Sequence, residues 1–205
     1  MITDIMVYSL LGYMLGSILF AKAYCSLFQT SDITVNSKDH NPGVANAFKN
    51  GGPACGLFAL IGDVFKGFIP VYLYCHNCWH AQYSIGIAIV MAAPVLGHLF
   101  PIWYHFKGGK GIAVSFGSLL GLIPIWQPVL TLAALFIFFS VCVVIQPHYY
   151  RTIVTYVIFI VLSLFMEGNI YICFGSVLLA SCIVFKMMLY PESEQQFEVR
   201  TLWKR

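Results

Sequence analysis

Two lysines bracket a glycine pair in GHLFPIWYHFKGGKG (Gly97–Gly111): Lys107, Gly108, Gly109 and Lys110 follow directly on an apolar, aromatic run. Glycines let backbone approach a ligand closely and offer it N–H donors, and lysines hold a phosphate as point charges. The next apolar run starts at Ile112, which places a helix N-terminus, with its positive dipole end, over the same spot. This is phosphate chemistry, and it is not that of a nucleotide-binding P-loop, because GxxxxGK[ST] is absent. The bland alternative is a basic anchor with a flexible turn.

A second polar stretch, SDITVNSKDHNPGVANAFKNGG (Ser31–Gly52), holds Lys38, Asp39, His40, Asn41, Asn46 and Lys49. Pro42 fixes φ and Gly43 permits a positive one, so Asn41-Pro42-Gly43 is expected to form a tight turn that presents Asn41 and backbone N–H groups. On a helix starting near Val44, Asn46 and Lys49 share a face. A solvated connector would use the same turn residues. Asp63 and Lys66 lie three apart inside an apolar run, where each charge alone costs about 3 kcal/mol; they either pair or meet a ligand. His98 stands next to Gly97, within reach of the glycine–lysine loop or of a structural partner. No histidine is followed five residues on by aspartate, and no GxSxG elbow is present, so a strong general base is missing. CHNCWH (Cys75–His80) has CxxC spacing with two histidines, which a metal or a disulfide could use.

These loops need a membrane to sit on. The chain has 205 residues, 60% hydrophobic and only 9% charged, against roughly 25% charged in soluble domains. Its net charge of +3 says little about nucleic acid, and none is expected as a partner. Apolar runs read as helices at about 4–27, 54–75, 83–103, 112–125, 127–146, 152–166 and 170–189. The N-terminus lacks the basic start and small-residue cleavage site of a signal peptide and reads as a retained span. Lys38, Lys49, Lys107, Lys110, Arg151, Arg200, Lys204 and Arg205 then all fall on one side, whereas the connections near 76–82 and 166–169 carry no Lys or Arg. The expectation is an all-α polytopic membrane protein of about seven helices, with the N-terminus outside and the C-terminus cytoplasmic. Residues 1–190 form a single membrane domain, and 191–205 form a cytoplasmic tail, either a short helix or a loose end.

The pieces GSILF (Gly16–Phe20), NPGVANAFKNGG (Asn41–Gly52), GDVFKG (Gly62–Gly67) and GHLFPIWYHFKGGKGIAVSFG (Gly97–Gly117) resemble, in order and spacing, the PlsY family of bacterial membrane acyltransferases. The resemblance covers about residues 10–120. It implies seven transmembrane helices in the bacterial plasma membrane with a cytoplasmic active site. It also implies acyl transfer from acyl phosphate to the 1-hydroxyl of glycerol 3-phosphate, giving lysophosphatidic acid. By the same resemblance Gly108, Gly109 and Lys110, with Lys107 beside them, hold glycerol 3-phosphate. Asn41, Gly43 and Asn46 of the family's other loop motif are kept, Asn41 and Gly43 as binding residues and Asn46 as a catalytic one, with Lys49 at its arginine position. From the residues themselves, Asp39 and His40 put a carboxylate and an imidazole beside the turn to replace the missing catalytic groups, and His98 can reach the substrate loop. No cofactor or metal is implied, and a soluble enzyme that makes acyl phosphate is a possible partner. The family's serine, threonine and arginine positions are here Asp39, Ala45 and Lys49, and its C-terminal His and Asn have no counterpart after Asn169. Lysine keeps the charge of arginine but loses the bidentate fork. Two alternatives stay open: an impaired homologue that binds phosphate or lipid in a regulatory role, and a small transporter of an anionic solute using Asp63 and Lys66.

Overall fold

The computed structural model describes residues 1–35, 37, 40–166, 168–191 and 198–201. Helix α1 (Ile2–Gly16) is followed after a break by α2 (Phe20–Leu27), the two meeting at 51°. The break at Ser17–Leu19 takes the Ile18 carbonyl out of the helical ladder and turns it toward Lys66, whose ammonium donates to it. Helix α3 (Val44–Asn77) contains a second break, at Gly52 (φ 81°), where Pro53 opens the longer half in the first-turn position that suits proline. Then come α4 (Gly86–Leu99), α5 (Ile112–Leu120), α6 (Gln127–Ile137) with a π-helical turn through Cys142, α7 (His148–Met166) and α8 (Ile170–Leu189). Asn169 caps α8, its side-chain oxygen accepting from the Tyr171 and Ile172 amides at 2.9 and 3.3 Å.

Among the described residues four helical segments are long and apolar enough to cross a membrane: Val44–Asn77, Gly86–Tyr104, His148–Met166 and Ile170–Leu189. The bent pair α1–α2 makes a fifth if it is one span. The expected run 112–125 yields a helix of only nine residues, about 14 Å long where the hydrocarbon core is about 30 Å. The expected run 127–146 stops being helical at Cys142. Val143–Gln146 form strand β1, and Pro147 follows. Three consecutive β-branched residues favour that extension.

The tail is neither a helix nor a loose end where it is described. Glu198–Thr201 form strand β2, antiparallel to β1, with Val143 opposite Thr201 and Gln146 opposite Glu198. The architecture is therefore helical with one small two-stranded ribbon, and the ribbon ties residues beyond 191 back to the bundle.

Helices approach where side chains are absent. A Cβ on Gly97 of α4 would collide with the Tyr13 carbonyl of α1, and one on Gly16 with the Pro94 carbonyl of α4. Gly67 of α3 and Gly117 of α5 meet the Val114 and Val64 carbonyls in the same way. Backbone-to-backbone packing of this kind suits a membrane, where lipid tails leave no hydrophobic drive between helices. Tyr74, Met91, Leu119, Tyr156, Phe159 and Leu179 fill the centre. Outside it, Met6, Leu10, Ile61, Phe65, Leu164 and Phe185 are exposed, an apolar periphery that water would not tolerate and lipid would.

Candidate active site

The glycine–lysine loop folds back over the end of α4. After Leu99 the chain makes a 3-10 turn (Ile102–Tyr104), then reverses through His105 and Phe106, both in the left-handed region (φ 51° and 60°). The Phe106 amide donates to the Pro101 carbonyl at 3.0 Å, and the Gly109 amide reaches the His98 carbonyl at 3.1 Å. This is why the pair is glycine: a Cβ on Gly108 would run into the His98 carbonyl oxygen, and one on Gly109 into His98 Nε2. Gly111, with φ 78°, opens α5 at Ile112, at the position the sequence indicates. Lys107 is exposed and Lys110 half-buried at this helix start.

Directly beneath the loop lies a buried charged cluster. Asp63 Oδ1 and Lys66 Nζ are 2.7 Å apart, and Lys66 Nζ donates to His98 Nδ1 at 2.8 Å. Exposure of the three residues is 2%, 2% and 3%. An ammonium group has no lone pair, so Nδ1 of His98 must accept, and the remaining ring proton belongs on Nε2. That N–H is aimed at Gly109. Asp63 and Lys66 thus pair with each other and also orient the imidazole, which the sequence reading left undecided.

Three further residues anchor the loop and were not singled out in the sequence. Tyr13 donates its hydroxyl to the Phe100 carbonyl at 2.8 Å. Ser17 Oγ accepts from the Ile102 amide at 3.4 Å while donating to the Tyr13 carbonyl at 2.9 Å. Lys186 of α8 donates to the Leu99 carbonyl at 3.0 Å and lies 4.5 and 4.4 Å from the ring centroids of Phe100 and Tyr190. The signal for Lys186 was available, since a lone cation in an otherwise apolar span asks for a partner.

The polar stretch between α2 and α3 forms its own cluster at the same end of the bundle, where α3 begins and α4 ends. Helix α3 starts at Val44, as the spacing predicts. The positive φ expected at Gly43 is not there: Gly43 is extended (φ −86°), with its carbonyl accepting from Ala47, and the left-handed residue is His40 (φ 47°). A side chain on Gly43 would press on that of Asn41, which explains the small residue without a special dihedral. Asn46 donates to the Asn41 carbonyl at 2.8 Å, Asn50 to the Ile33 carbonyl at 2.9 Å, and His40 Nδ1 is 3.0 Å from the Thr34 carbonyl. Lys49 is exposed one turn further on. Asp39 lies outside the described residues, as do Lys38, Lys204 and Arg205.

Lys22 of α2 joins the two loops. Its ammonium is 3.5 Å from Asp32 Oδ2 and 5.8 Å from the centroid of the Tyr104 ring. Partial burial pushes the Asp32 carboxyl up, but the Thr34 N–H and hydroxyl, with Lys22, outweigh it and leave the group below the usual carboxylate range. His98, Gly108 and Gly109 are therefore in direct contact. His40, Asn41, Gly43 and Asn46 make a second group beside them, connected through Lys22 and Tyr104.

The fold is similar to that of PlsY, an integral membrane glycerol 3-phosphate acyltransferase. The crystal structure of its glycerol 3-phosphate form matches with a TM-score of 0.76, covering 90% of this chain and 88% of that one at 22% identity. Its lysophosphatidic acid form matches at 0.73, covering 89% and 87%, again at 22% identity. At that identity the likeness is one of fold. In sequence, the glycerol-3-phosphate acyltransferase of Nitrosomonas europaea is 42% identical over 135 residues, 65% of this chain and 65% of the relative. That of Haemophilus ducreyi is 37% identical over 129 residues, 63% of each. That of Paraburkholderia phytofirmans is 35% identical over 123 residues, 58% of this chain and 56% of the relative. The matched stretch spans less than two thirds of each of these curated relatives. Apolar helices, fold and relatives together make this a multi-pass bacterial membrane protein. Residues 6–193 match the family described as glycerol-3-phosphate acyltransferase, and the chain belongs to that family.

Proposed function

We propose that this protein transfers a fatty acyl group from acyl phosphate to the 1-hydroxyl of glycerol 3-phosphate, yielding lysophosphatidic acid for phospholipid synthesis. The observation that carries the reading is the glycine–lysine loop seated on His98, whose imidazole N–H faces Gly109, with Lys107 and Lys110 in that same loop just before a helix start. Both substrates carry phosphate, and this cluster offers cations and N–H donors to it. Glycerol 3-phosphate belongs on Lys107, Gly108, Gly109, Lys110 and His98. The acyl phosphate headgroup belongs nearer Asn41, Gly43, Asn46 and Lys49, with Asp39 and His40 as orienting groups. An apolar groove of about 700 Å³ between α1 and α4 offers room for the acyl chain. Tyr13 both lines it and holds the Phe100 carbonyl beside the site.

In the reaction the glycerol oxygen bonds to the acyl carbon, the carbon–oxygen bond to phosphate breaks, and inorganic phosphate leaves. Phosphate is already an activated leaving group and can accept the hydroxyl proton. The step therefore needs charge stabilisation more than a protein base. Cytoplasmic placement of this site is supported by the basic residues at its end of the bundle. Counting the bent pair α1–α2 once and the shorter α5 and α6 beside the four long helices gives about seven membrane segments, with the N-terminus outside. Residues 1–190 act as one membrane unit, with 191–205 on the cytoplasmic side. A soluble enzyme that makes acyl phosphate would dock on this face.

The second reading, an impaired homologue that binds phosphate or lipid without turnover, is favoured by Asp39, Ala45 and Lys49 at the family's serine, threonine and arginine positions. One assay separates the two. With protein in lipid, palmitoyl phosphate and labelled glycerol 3-phosphate, wild type forms lysophosphatidic acid and Lys110→Ala slows it about 10²–10³-fold, the size expected for one lost transition-state donor. Binding of glycerol 3-phosphate that depends on Lys110, without product, would favour the second reading.

A further inference from the structure

At the opposite end of the bundle, the connection between α3 and α4 folds against the first turn of α1. Cys78 and His80 sit in this connection, held by the Ala81 amide on the Cys78 carbonyl (2.9 Å) and the Tyr83 amide on the His80 carbonyl (3.0 Å). Asp4, from a part of the chain more than seventy residues away, completes the group. One ligand atom from each of Asp4, Cys78 and His80 falls within 4.8 Å of the others. Cys78 is a free thiol, 7% exposed, and His80 Nε2 is buried without a hydrogen-bond partner. Asp4 Oδ2 stands 3.7 Å from that nitrogen, too far for a hydrogen bond.

We propose that Asp4, Cys78 and His80 form a binding site for a divalent transition-metal ion, with zinc the best match. Thiolate, imidazole and carboxylate are the three ligand types zinc takes, and three protein ligands leave a fourth position for water. Tetrahedral zinc with its usual bond lengths puts neighbouring ligand atoms about 3.3–3.6 Å apart. The three atoms therefore need to close by about 1 Å, which side-chain rotation supplies. An ion here also gives the buried imidazole nitrogen the partner it lacks. Asp4 Oδ2 is ion-paired to the Met1 amine at 2.8 Å, and a carboxylate has lone-pair capacity for both. Hard cations such as magnesium and calcium prefer all-oxygen sites, so the thiol disfavours them.

The site is separate from the glycine–lysine loop, with the 14 residues of α4 between them, about 20 Å of helix. Its role is a clip: it fastens the start of α1 to the α3–α4 connection, and α1 is the helix that carries Tyr13 and Ser17 to the loop at the other end. The Cys75 thiol, one turn before Cys78, is not part of the group.

The test uses the full chain in lipid nanodiscs with a native N-terminus and its purification tag removed. Zinc content is measured after equilibration, and cobalt(II) replaces zinc as a spectroscopic probe. Wild type and Cys75→Ser should hold one zinc per chain, and their cobalt forms should show a thiolate-to-metal charge-transfer band. Cys78→Ser should lose the band, His80→Ala should lose the zinc, and Asp4→Asn should weaken affinity at least tenfold while keeping the band. Size-exclusion elution and helical circular dichroism identify any variant that has failed to fold, and Cys78→Ala then takes the place of Cys78→Ser. Equal zinc in wild type and His80→Ala would overturn the proposal. So would a cobalt band that survives Cys78→Ser or disappears in Cys75→Ser.

Discussion

Gly109 lies against the His98 ring with no space for a methyl group between them. Gly109→Ala must therefore lift the loop from the imidazole by a fraction of an ångström to an ångström, and misplacement on that scale costs about 10²-fold in rate. The expected result is a large fall in acyl transfer with thermal stability nearly unchanged, because the loop is at the edge of the bundle; comparing kcat with the melting temperature checks it. Lys66 makes the opposite demand. Lys66→Met leaves Asp63 buried without its cation, which destabilises by about 3–5 kcal/mol, whereas Asp63→Leu combined with Lys66→Met removes both charges and should restore most of that. In the double variant His98 Nδ1 has lost its donor, and the Nε2 proton is no longer held toward Gly109. Stability should return while acyl transfer stays about 10²-fold low. Recovery of activity along with stability would show that the cluster only packs.

Among the helices, the glycines decide which pairs can touch. Gly117 faces the Val64 carbonyl and Gly67 the Val114 carbonyl, so α3 and α5 are in backbone contact over the turn that carries Asp63 and Lys66. Gly117→Val should cost about 1–3 kcal/mol or more through overpacking. It should also move the start of α5, so melting temperature and the KM for glycerol 3-phosphate ought to change together. The start of α3 at Val44 was readable from the Pro-Gly turn before it, and that of α5 at Ile112 from a Gly-Lys-Gly stretch that precedes an apolar run. The run 170–189 coincides with α8 because a full-length apolar helix bounded by polar residues has few alternatives. The break between α1 and α2 was not readable. GSILFAKAY contains nothing that stops a helix outright, and the reason for the break is the Lys66 ammonium that takes the Ile18 carbonyl.

For the molecule as a whole, the distribution of Lys and Arg sets the expected orientation. Trp79 (90% exposed) and Phe106 (55% exposed) stand at opposite ends of the bundle. On a background without native cysteines, Trp79→Cys should react with a membrane-impermeant thiol reagent in intact cells, and Phe106→Cys only once the cytoplasmic face is opened; the reverse pattern would invert the topology. The amino-acid sequence by itself determined that this is a helical membrane protein with two polar loops, rich in glycine, lysine and asparagine, at one end. Hydropathy, turn residues and charge placement are local properties, and a bilayer leaves apolar runs little choice but the helix. Tertiary structure alone decided which of the charges meet: Lys66 with His98, Lys186 with Leu99, Lys22 with both loops, Asp4 with Cys78 and His80. It also decided that residues 143–146 end α6 as a strand, because their partner is the tail. Each of these contacts joins elements that are distant in sequence or packed through glycine surfaces, and neither periodicity nor spacing along the chain encodes which surfaces will come together.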